Sequence, residues 1–484
     1  MTVKTLHRTA AGGALAAGLT LILGTEAPLD AQGPSVVDRN LQVHTVVTGL
    51  STPTSIAFIG PDDILVLEKN TGRVLRVVNG ALQGVVLDLA VNFGSERGLL
   101  GIALHPEFPH DRGVYLFWTE STTGSDTNVL ASTPLLGNRV DRFAWDGASL
   151  SHEANIIRLR ALQEDAGQPQ RGNHDGGVLR FGPDGKLYVF VGDVGRRGQM
   201  QNLPDGPFGP GQPDDQFGGP EPDDAHLTGV ILRLNPDGSA PPDNPFFAAG
   251  AAMAGEVGAN VQKIFSYGHR NGFGMAFDPV SGTLWMQENG DDTFSEVNRV
   301  FPGMNGGWVQ ISGPVERIAE YKEIETTFGP RSLQQIRWPP TNIADTPAEA
   351  LSRLFLLPGA HYGDPVFSWK WEVAPGGMGF LDSRALGPQY AGNLFIGAAT
   401  PVLEGGYLFR LRLTGNREKV AVDDPRLEDR VADNLAKHDI TESESLLFGR
   451  NFGVSTDIQT GPDGSLYVVS LTHGAIYRIA RRTR

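Results

Sequence analysis

The segment Arg171-Gly-Asn-His-Asp-Gly-Gly177 contains a histidine with room to act in proton transfer. An imidazole titrates near neutral pH, so His174 is a candidate general base. Glycines flank the Asn-His-Asp core of the segment, and Asn173 or Asp175 is near enough to fix the tautomer of the ring. A histidine in a turn that bonds to the backbone has the same sequence pattern, so this alternative stays open.

Two other segments offer charged and amide side chains. Arg270 and Asn271 lie in Tyr267-Gly-His-Arg-Asn-Gly-Phe-Gly274, and a guanidinium beside an amide suits a polar or anionic ligand. The alternative is an arginine that pairs with an acidic residue at the surface. Glu96 and Arg97 lie in a third Gly-containing segment, where they either point into a shared opening or pair with each other.

Acidic side chains cluster shortly after Asn271. The segment Gln287-Glu-Asn-Gly-Asp-Asp-Thr-Phe-Ser-Glu-Val-Asn298 places four carboxylates around Gly290. An irregular, oxygen-rich segment is what a hard cation such as Ca²⁺ binds, although the spacing is not that of an EF-hand. A solvent-exposed Asp/Gly turn is the alternative.

A repeated phrase indicates how these segments are positioned. Each copy has an apolar run, a turn rich in Pro, Asp or Gly, and a second apolar run, which together predict a β-hairpin. Six copies predict an all-β fold, a six-bladed β-propeller with long inter-strand loop insertions. The copies span residues 58–67, 104–118, 181–193, 277–286, 387–396 and 460–470.

The propeller explains why distant segments belong to one site. His174 and Arg270 precede the first strands of two different blades, so both side chains are expected at the same mouth of the central channel. We expect the first blade to begin near Leu41. Alternating apolar residues predict a further strand for each hairpin, at residues 73–78, 154–159, 229–234, 296–300, 407–413 and 475–479.

Three stretches interrupt this pattern. Arg196–His226 and Asn416–Leu447 are predicted to be loops, and Pro314–Leu357 is predicted to contain a short helix around residues 347–354. Functional groups often lie on such loops, but insertions are also simply tolerated there.

Composition excludes several classes of function. The net charge is −15 and the sequence has no basic stripe, so nucleic acid is not an expected partner. The chain has no cysteine, which excludes disulfides, thiolate catalysis and cysteine-ligated metal centres.

The N-terminus has the layout of a secretory signal. Lys4, His7 and Arg8 precede a short apolar run, and a small residue at Ala31 offers a cleavage point. We therefore predict a signal peptide at residues 1–31, a single propeller domain at residues 41–484, and a periplasmic or secreted protein. A retained N-terminal anchor is the alternative, and the mature chain is expected to have no transmembrane span.

Six phrases, in order from about residue 45 to residue 480, resemble the soluble glucose/sorbosone dehydrogenase family, which includes PQQ-dependent and aldose sugar dehydrogenases. PQQ is pyrroloquinoline quinone. The phrases lie at residues 96–108, 173–185, 267–271, 288–308, 373–377 and 405–413.

The resemblance implies a six-bladed propeller with PQQ and Ca²⁺ in the channel mouth. It implies that His174 takes the proton from the anomeric hydroxyl of an aldose while hydride passes to the quinone, which gives a lactone. Other implied roles are PQQ contacts for Arg270 and Asn271, backbone carbonyl ligands to Ca²⁺ at Gly290 and Asp291, and a position near the substrate and cofactor for Glu96.

The sequence departs from the family pattern where the carboxylates of PQQ are bound. A lysine that many members carry is missing from Gly397–Glu404, and an Arg-x-Arg-Asp phrase is reduced to Asp457 within Val454–Asp457. Arginine contacts are a main source of carboxylate recognition. The candidates to replace the missing cations are Lys370, Arg412 and Arg450.

These observations lead to two hypotheses. The first is a quinoprotein that oxidises an aldose or related aldehyde and passes electrons to a cytochrome or a quinone. The second is a propeller that has lost PQQ and acts as a calcium-dependent, lactonase-like hydrolase or as a carbohydrate- or protein-binding module.

Overall fold

The computed structural model describes residues 33–162, 170–195, 227–253, 255–335, 337 and 340–482. The predicted signal peptide, residues 1–31, and the predicted loop Arg196–His226 lie outside the described residues. No helix in the described part of the chain combines the length and the apolar character that crossing a membrane requires.

Strands dominate the described residues. The first half of the chain contributes β1 (Ser35–Val36), β2 (Leu41–Val47), β3 (Pro53–Gly60), β4 (Asp63–Glu68), β5 (Arg73–Val78), β6 (Ala81–Asp88), β7 (Leu99–Leu104), β8 (Gly113–Thr119), β9 (Asn138–Trp145), β10 (Leu150–Leu159), β11 (Leu179–Phe181), β12 (Leu187–Val191), β13 (Val230–Leu234) and β14 (Ile264–Tyr267).

The second half contributes β15 (Gly274–Phe277), β16 (Leu284–Glu288), β17 (Ser295–Val300), β18 (Met304–Asn305), β19 (His361–Tyr362), β20 (Phe367–Trp369), β21 (Pro375–Phe380), β22 (Leu394–Ala398), β23 (Tyr407–Leu413), β24 (Val420–Ala421), β25 (Val431–Ala432), β26 (Leu447–Arg450), β27 (Ser455–Thr460), β28 (Leu466–Ser470) and β29 (Ala475–Arg481).

These strands form six sheets, each built around an antiparallel hairpin that the sequence predicted. The innermost strands β3, β7, β11, β15, β21 and β27 contact one another in chain order, and β27 contacts β3 to close the ring. The all-β propeller class is therefore confirmed, and the central channel lies inside this ring.

The repeated turn explains why the hairpins form. Gly185 and Gly464 have φ angles of +70° and +77°, a conformation that glycine adopts at little cost. The carboxylates of Asp184 and Asp463 accept hydrogen bonds from the backbone two residues later, at 3.1 Å and 3.0 Å. Identical chemistry thus closes two hairpins almost three hundred residues apart.

The strand β2 belongs to the last sheet of the ring rather than to the first. β2 pairs in antiparallel fashion with β29, so the expectation of a first blade near Leu41 is wrong. This pairing gives hydrogen-bond partners to the backbone groups at the outer edge of β29, which would otherwise be unpaired. The strand predicted at residues 154–159 is confirmed as part of β10, which is the fourth and outermost strand of its sheet.

Helices are few and short in the described residues. They are α1 (Phe247–Ala251), α2 (Gly255–Val261), α3 (Ile318–Glu325) and α4 (Pro347–Ser352). The helix predicted around residues 347–354 is confirmed by α4, whose N-cap Thr346 accepts a hydrogen bond from the backbone of Glu349. The described part of the charged stretch Asn416–Leu447 is mostly irregular, as expected.

An ion pair crosses the central channel. Arg180 on β11 donates to Asp457 on β27 at 2.8 Å, and these two inner strands lie on opposite sides of the ring. Ser55 and Gln459 donate to the other oxygen of Asp457, both at 2.7 Å. A cavity of about 810 Å³ extends from the mouth formed by the hairpin turns as far as Arg180. Asp457 is the one residue that the chain keeps from the Arg-x-Arg-Asp phrase, and in this structure its carboxylate is bound by residues that line the channel.

We expect Arg180→Met to lower the free energy of unfolding by about 3 kcal/mol, because it leaves a buried carboxylate without its cation. The side chains of Arg180 and Asp457 are 20% and 2% exposed. Arg73→Met is the matched control, since the Arg73–Asp88 pair is 48% and 59% exposed and its loss should cost less than about 1 kcal/mol. Urea denaturation measures both, and equal effects would show that the channel pair contributes no more than a surface pair.

Candidate active site

His174 lies just before β11 with a left-handed backbone, at φ 59°. Its Nδ1 is 2.7 Å from Asp193 Oδ1, and its Nε2 is 3.2 Å from Arg270 Nη2. A guanidinium only donates hydrogen bonds, so Nε2 must accept and Nδ1 must carry the proton that is donated to Asp193. Nε2 is therefore unprotonated, as a general base requires, and its lone pair accepts from Arg270 until a substrate hydroxyl takes that place.

Asp193, which the sequence analysis did not identify, orients this imidazole. The residue follows β12 and is buried; its Oδ1 also accepts from the backbone of Gly195 at 2.9 Å, and its Oδ2 accepts from Trp308 Nε1 at 2.9 Å. The predicted partners Asn173 and Asp175 are not the ones observed at Nδ1. Asp193 is the last residue of the repeated phrase 181–193, and a carboxylate directly after a predicted strand was the sequence signal that could have identified it.

Arg270 links three parts of the site. Its Nη1 donates to the carbonyl of Asn289 at 2.7 Å, and its Nη2 donates to the carboxylate of Asp291. The guanidinium lies over the ring of Trp308, with 5.5 Å between its carbon and the ring centre. Arg270 is therefore paired with an acidic residue, but in a buried site and in contact with His174 rather than at the surface.

Glu96 joins the same network. Its Oε2 accepts from the backbone of His174 at 2.7 Å and from Asn271 Nδ2 at 3.0 Å. Arg97 points elsewhere and donates to Asn92 Oδ1 at 2.9 Å. The structure thus brings together His174, Arg270, Asn271, Glu96 and Asp291, which the sequence placed in separate segments.

The predicted cation site depends on backbone oxygens. Asp291 is committed to Arg270 and lies 3.8 Å from Arg337, and no described residues form a group of three or more His, Asp or Glu side chains suited to a metal. A Cβ placed at Gly290 would lie 2.7 Å from the carbonyl oxygen of Thr293, so this turn packs carbonyl groups closely. Carbonyl oxygens are ligands that Ca²⁺ prefers. The turn fits Ca²⁺, and the roles of Gly290 and Asp291 stay predictions.

The three candidate replacement cations lie outside the network. Lys370 Nζ pairs with Glu320 at 2.6 Å, Arg412 pairs with Asp423, and Arg450 lies over the ring of Tyr407. Binding of PQQ by Lys370 stays a prediction, and it would require this ammonium to leave Glu320.

The network itself offers groups that a polar ligand could use. Arg270 Nε, a donor, and Asn271 Oδ1, an acceptor, are buried and make no hydrogen bond to any described residue. Buried polar atoms normally have a partner, so this pair favours a ligand with both kinds of group. The carbonyl and carboxylate oxygens of PQQ match the donor, and its ring N–H matches the acceptor.

Behind Arg270 lies a Ser–His–Glu arrangement. His269 contacts Ser266 Oγ at 2.9 Å through Nε2 and Glu288 Oε1 at 2.7 Å through Nδ1. Ser266 is completely buried in β14, so its hydroxyl cannot reach a substrate. Glu288 Oε2 accepts from the backbone of Arg270 at 2.7 Å, so this group holds Arg270 in place instead of forming a hydrolytic triad.

Asp175 makes stability depend on pH. Burial raises the pKa of its carboxyl from 3.8 to about 6, although Asn138 donates to it at 2.9 Å. A raised pKa means that the folded state binds the proton more tightly, so stability is lost as the pH rises from about 4 through 6. Compared with the wild type, Asp175→Asn should gain about 2 kcal/mol in unfolding free energy between pH 4 and pH 7. Parallel pH profiles of stability for the two proteins would contradict this assignment.

Comparison with known proteins identifies the family. A sequence model described as Glucose / Sorbosone dehydrogenase matches residues 50–334. Quinoprotein glucose dehydrogenase B of Acinetobacter calcoaceticus is 31% identical over 304 residues, which are 61% of this chain and 58% of that relative. Aldose sugar dehydrogenase YliI of Escherichia coli (strain K12) is 27% identical over 436 residues, which are 89% of this chain and 90% of that relative.

A solved structure shares the fold. The PQQ-bound form of the aldose sugar dehydrogenase from Streptomyces coelicolor has a TM-score of 0.54 and 24% identity, with 93% of this chain and 100% of that chain covered. The family match covers more than half of this chain. The chain therefore belongs to the glucose/sorbosone dehydrogenase family, and the prediction of an oxidoreductase of this family is confirmed.

Proposed function

We propose that the protein oxidises an aldose, or a related sugar aldehyde, to its lactone and uses PQQ as the electron acceptor. The observation that carries this proposal is the imidazole of His174, which presents an unprotonated Nε2 beside Arg270 while Asp193 holds Nδ1. Membership of the family and the names of the relatives support the same chemistry. In this proposal each of the six sheets serves as one blade of the scaffold.

His174 takes the proton of the sugar hydroxyl on Nε2. The imidazolium that results is stabilised by Asp193, whose buried carboxylate already accepts from Nδ1 at 2.7 Å. Protonated Nε2 no longer accepts from Arg270, whose Nη2 keeps its existing hydrogen bond to Asp291. When bound, PQQ would supply the acceptor for the hydride, the C–H hydrogen with its two electrons, that leaves the sugar carbon.

The remaining residues bind and orient. Arg270 and Asn271 hold oxygen and nitrogen atoms of the cofactor through the buried atoms that lack a protein partner among the described residues. The backbone carbonyls of Gly290 and Asp291 hold Ca²⁺, and Glu96 fixes the positions of His174 and Asn271. We propose that electrons then pass to a cytochrome or a quinone, in the periplasm or outside the cell.

A reconstitution assay tests this function. Purified protein without cofactor is mixed with PQQ, CaCl₂, an artificial electron-accepting dye and a panel of aldoses. We expect dye reduction that requires PQQ, stops when EDTA removes the calcium, and yields the lactone of the oxidised sugar. Absence of dye reduction with every aldose at saturating PQQ and calcium would contradict the proposal.

A further inference from the structure

A short turn controls the position of two residues of the candidate active site. The turn runs from Gly94 to Arg97, and Ser95 within it has a left-handed backbone at φ 54°. At its tip, Glu96 accepts hydrogen bonds from the backbone of His174 and from Asn271, at 2.7 Å and 3.0 Å. Any shift of this turn would therefore move His174 or release it.

The ammonium of Lys69, which precedes the turn in the chain, binds backbone carbonyls at the turn. Its Nζ donates to the carbonyl of Phe93 at 3.0 Å and to that of Ser95 at 2.9 Å, which lie on either side of Gly94. The third donor faces Asn70 Oδ1 at 3.3 Å, so all the donors of the ammonium are used. The backbone carbonyl of Lys69 also accepts from Leu99 at 3.1 Å, just after the turn.

Arg97, the last residue of the turn, links the turn to the segment that carries His174. This buried residue donates through Nε to Asn92 and through Nη1 to the carbonyl of Gly172, two residues before His174. The charges of Lys69 and Arg97 face those of Glu96 and the buried Asp175. The turn and the segment that carries His174 are thus held in one charge-balanced cluster.

We propose that Lys69 is a positioning residue of the candidate active site, which fixes the turn so that Glu96 can hold His174 and Asn271. Lys69 does not touch the reacting atoms in this arrangement. The structural part of the proposal, that Lys69 fixes the turn, does not depend on the reaction, whereas its consequence for catalysis rests on the proposed function.

Hydrogen–deuterium exchange of the protein without cofactor tests the structural part, since the amide of His174 donates to Glu96. We expect Lys69→Met to speed exchange of this amide by about 10-fold, the effect of weakening one charged hydrogen bond. Lys186→Met is the matched control, because Lys186 makes a single side-chain hydrogen bond, to Asn235, in a distant hairpin turn. Lys69→Gln gives the same comparison if Lys69→Met does not fold.

A double variant with Glu96→Ala distinguishes a specific effect of Lys69 on His174 from a general loss of local stability. In Glu96→Ala the His174 amide has already lost its acceptor, so adding Lys69→Met should not speed its exchange further. Wild-type exchange in Lys69→Met, or an equal acceleration with and without Glu96, would overturn the proposal.

The same variants are then assayed by dye reduction with PQQ, calcium and an aldose. We expect Lys69→Met to lower kcat by about 10-fold in the presence of Glu96 and to have no further effect in Glu96→Ala. Unchanged kcat in Lys69→Met would overturn the catalytic part. If the wild type itself is inactive, the proposed function fails, while the exchange result still decides whether Lys69 positions His174.

Discussion

Replacing His174 by asparagine is expected to lower kcat for aldose oxidation by about 10²- to 10⁴-fold, the range that a general base contributes. Asparagine tolerates the left-handed backbone that His174 adopts, at φ 59°, better than alanine does. The substitution therefore removes the base while it leaves the local backbone nearly unstrained. Dye reduction with reconstituted protein at saturating PQQ and calcium measures the effect.

The control is binding of PQQ, which should change little, because His174 is proposed to act on the sugar and not to hold the cofactor. A His174→Asn protein that reduces the dye at the wild-type rate would exclude His174 as the base. Loss of both binding and activity would point to a structural role instead.

Asp193→Asn is expected to lower kcat by about 10²-fold, because the surroundings of this residue demand acceptors on both oxygens. Oδ1 accepts from His174 and Gly195, and Oδ2 accepts from Trp308. An amide can accept at only one of these positions. If its NH₂ faces His174, the proton moves to Nε2, the wrong nitrogen for a base. If it faces Trp308, two donors oppose each other in a buried site.

Nitrogen-15 NMR of the histidine ring reads the tautomer directly, beside kcat. Asp237→Asn is the control, since Asp237 accepts from Ser239 in an exposed turn. An Asp193→Asn protein with the wild-type tautomer and wild-type kcat would show that Asp193 does not orient the ring.

The repeating parts of the fold were predictable from local chemistry. Turn residues with fixed backbone preferences mark each hairpin, and equivalent positions in two sheets placed His174 and Arg270 at one mouth. Their contact at 3.2 Å follows from that equivalence. Several short outer strands, such as β14 and β20, were missed because they carry little periodic signal. The pairing of β2 with β29 was missed because pairing between segments far apart in the chain has no such signal.

The supporting residues were missed for a different reason. Asp193, Trp308 and the proposed positioning residue Lys69 contact other segments of the chain, and the hydrogen bond between Trp308 and Asp193 joins residues 115 positions apart. Single-sequence patterns report which faces are buried, but they do not report which side chain meets which across sheets. Asp457 is a further example: it remains from the family's Arg-x-Arg-Asp phrase, and its partner is Arg180 on the opposite side of the channel, which no sequence pattern indicates.

The most direct test of the proposed function is a calorimetric titration of the protein without cofactor with PQQ at fixed calcium. We expect saturable binding with one PQQ per chain, and at least about 10-fold weaker binding by Arg270→Lys, which loses the planar guanidinium and its fixed donors. Arg73→Lys changes a half-exposed side chain in the outer β5–β6 pair of its sheet, and this variant should bind as the wild type does. Absence of saturable binding, or equal affinity in Arg270→Lys and the wild type, would contradict a PQQ site at His174 and Arg270.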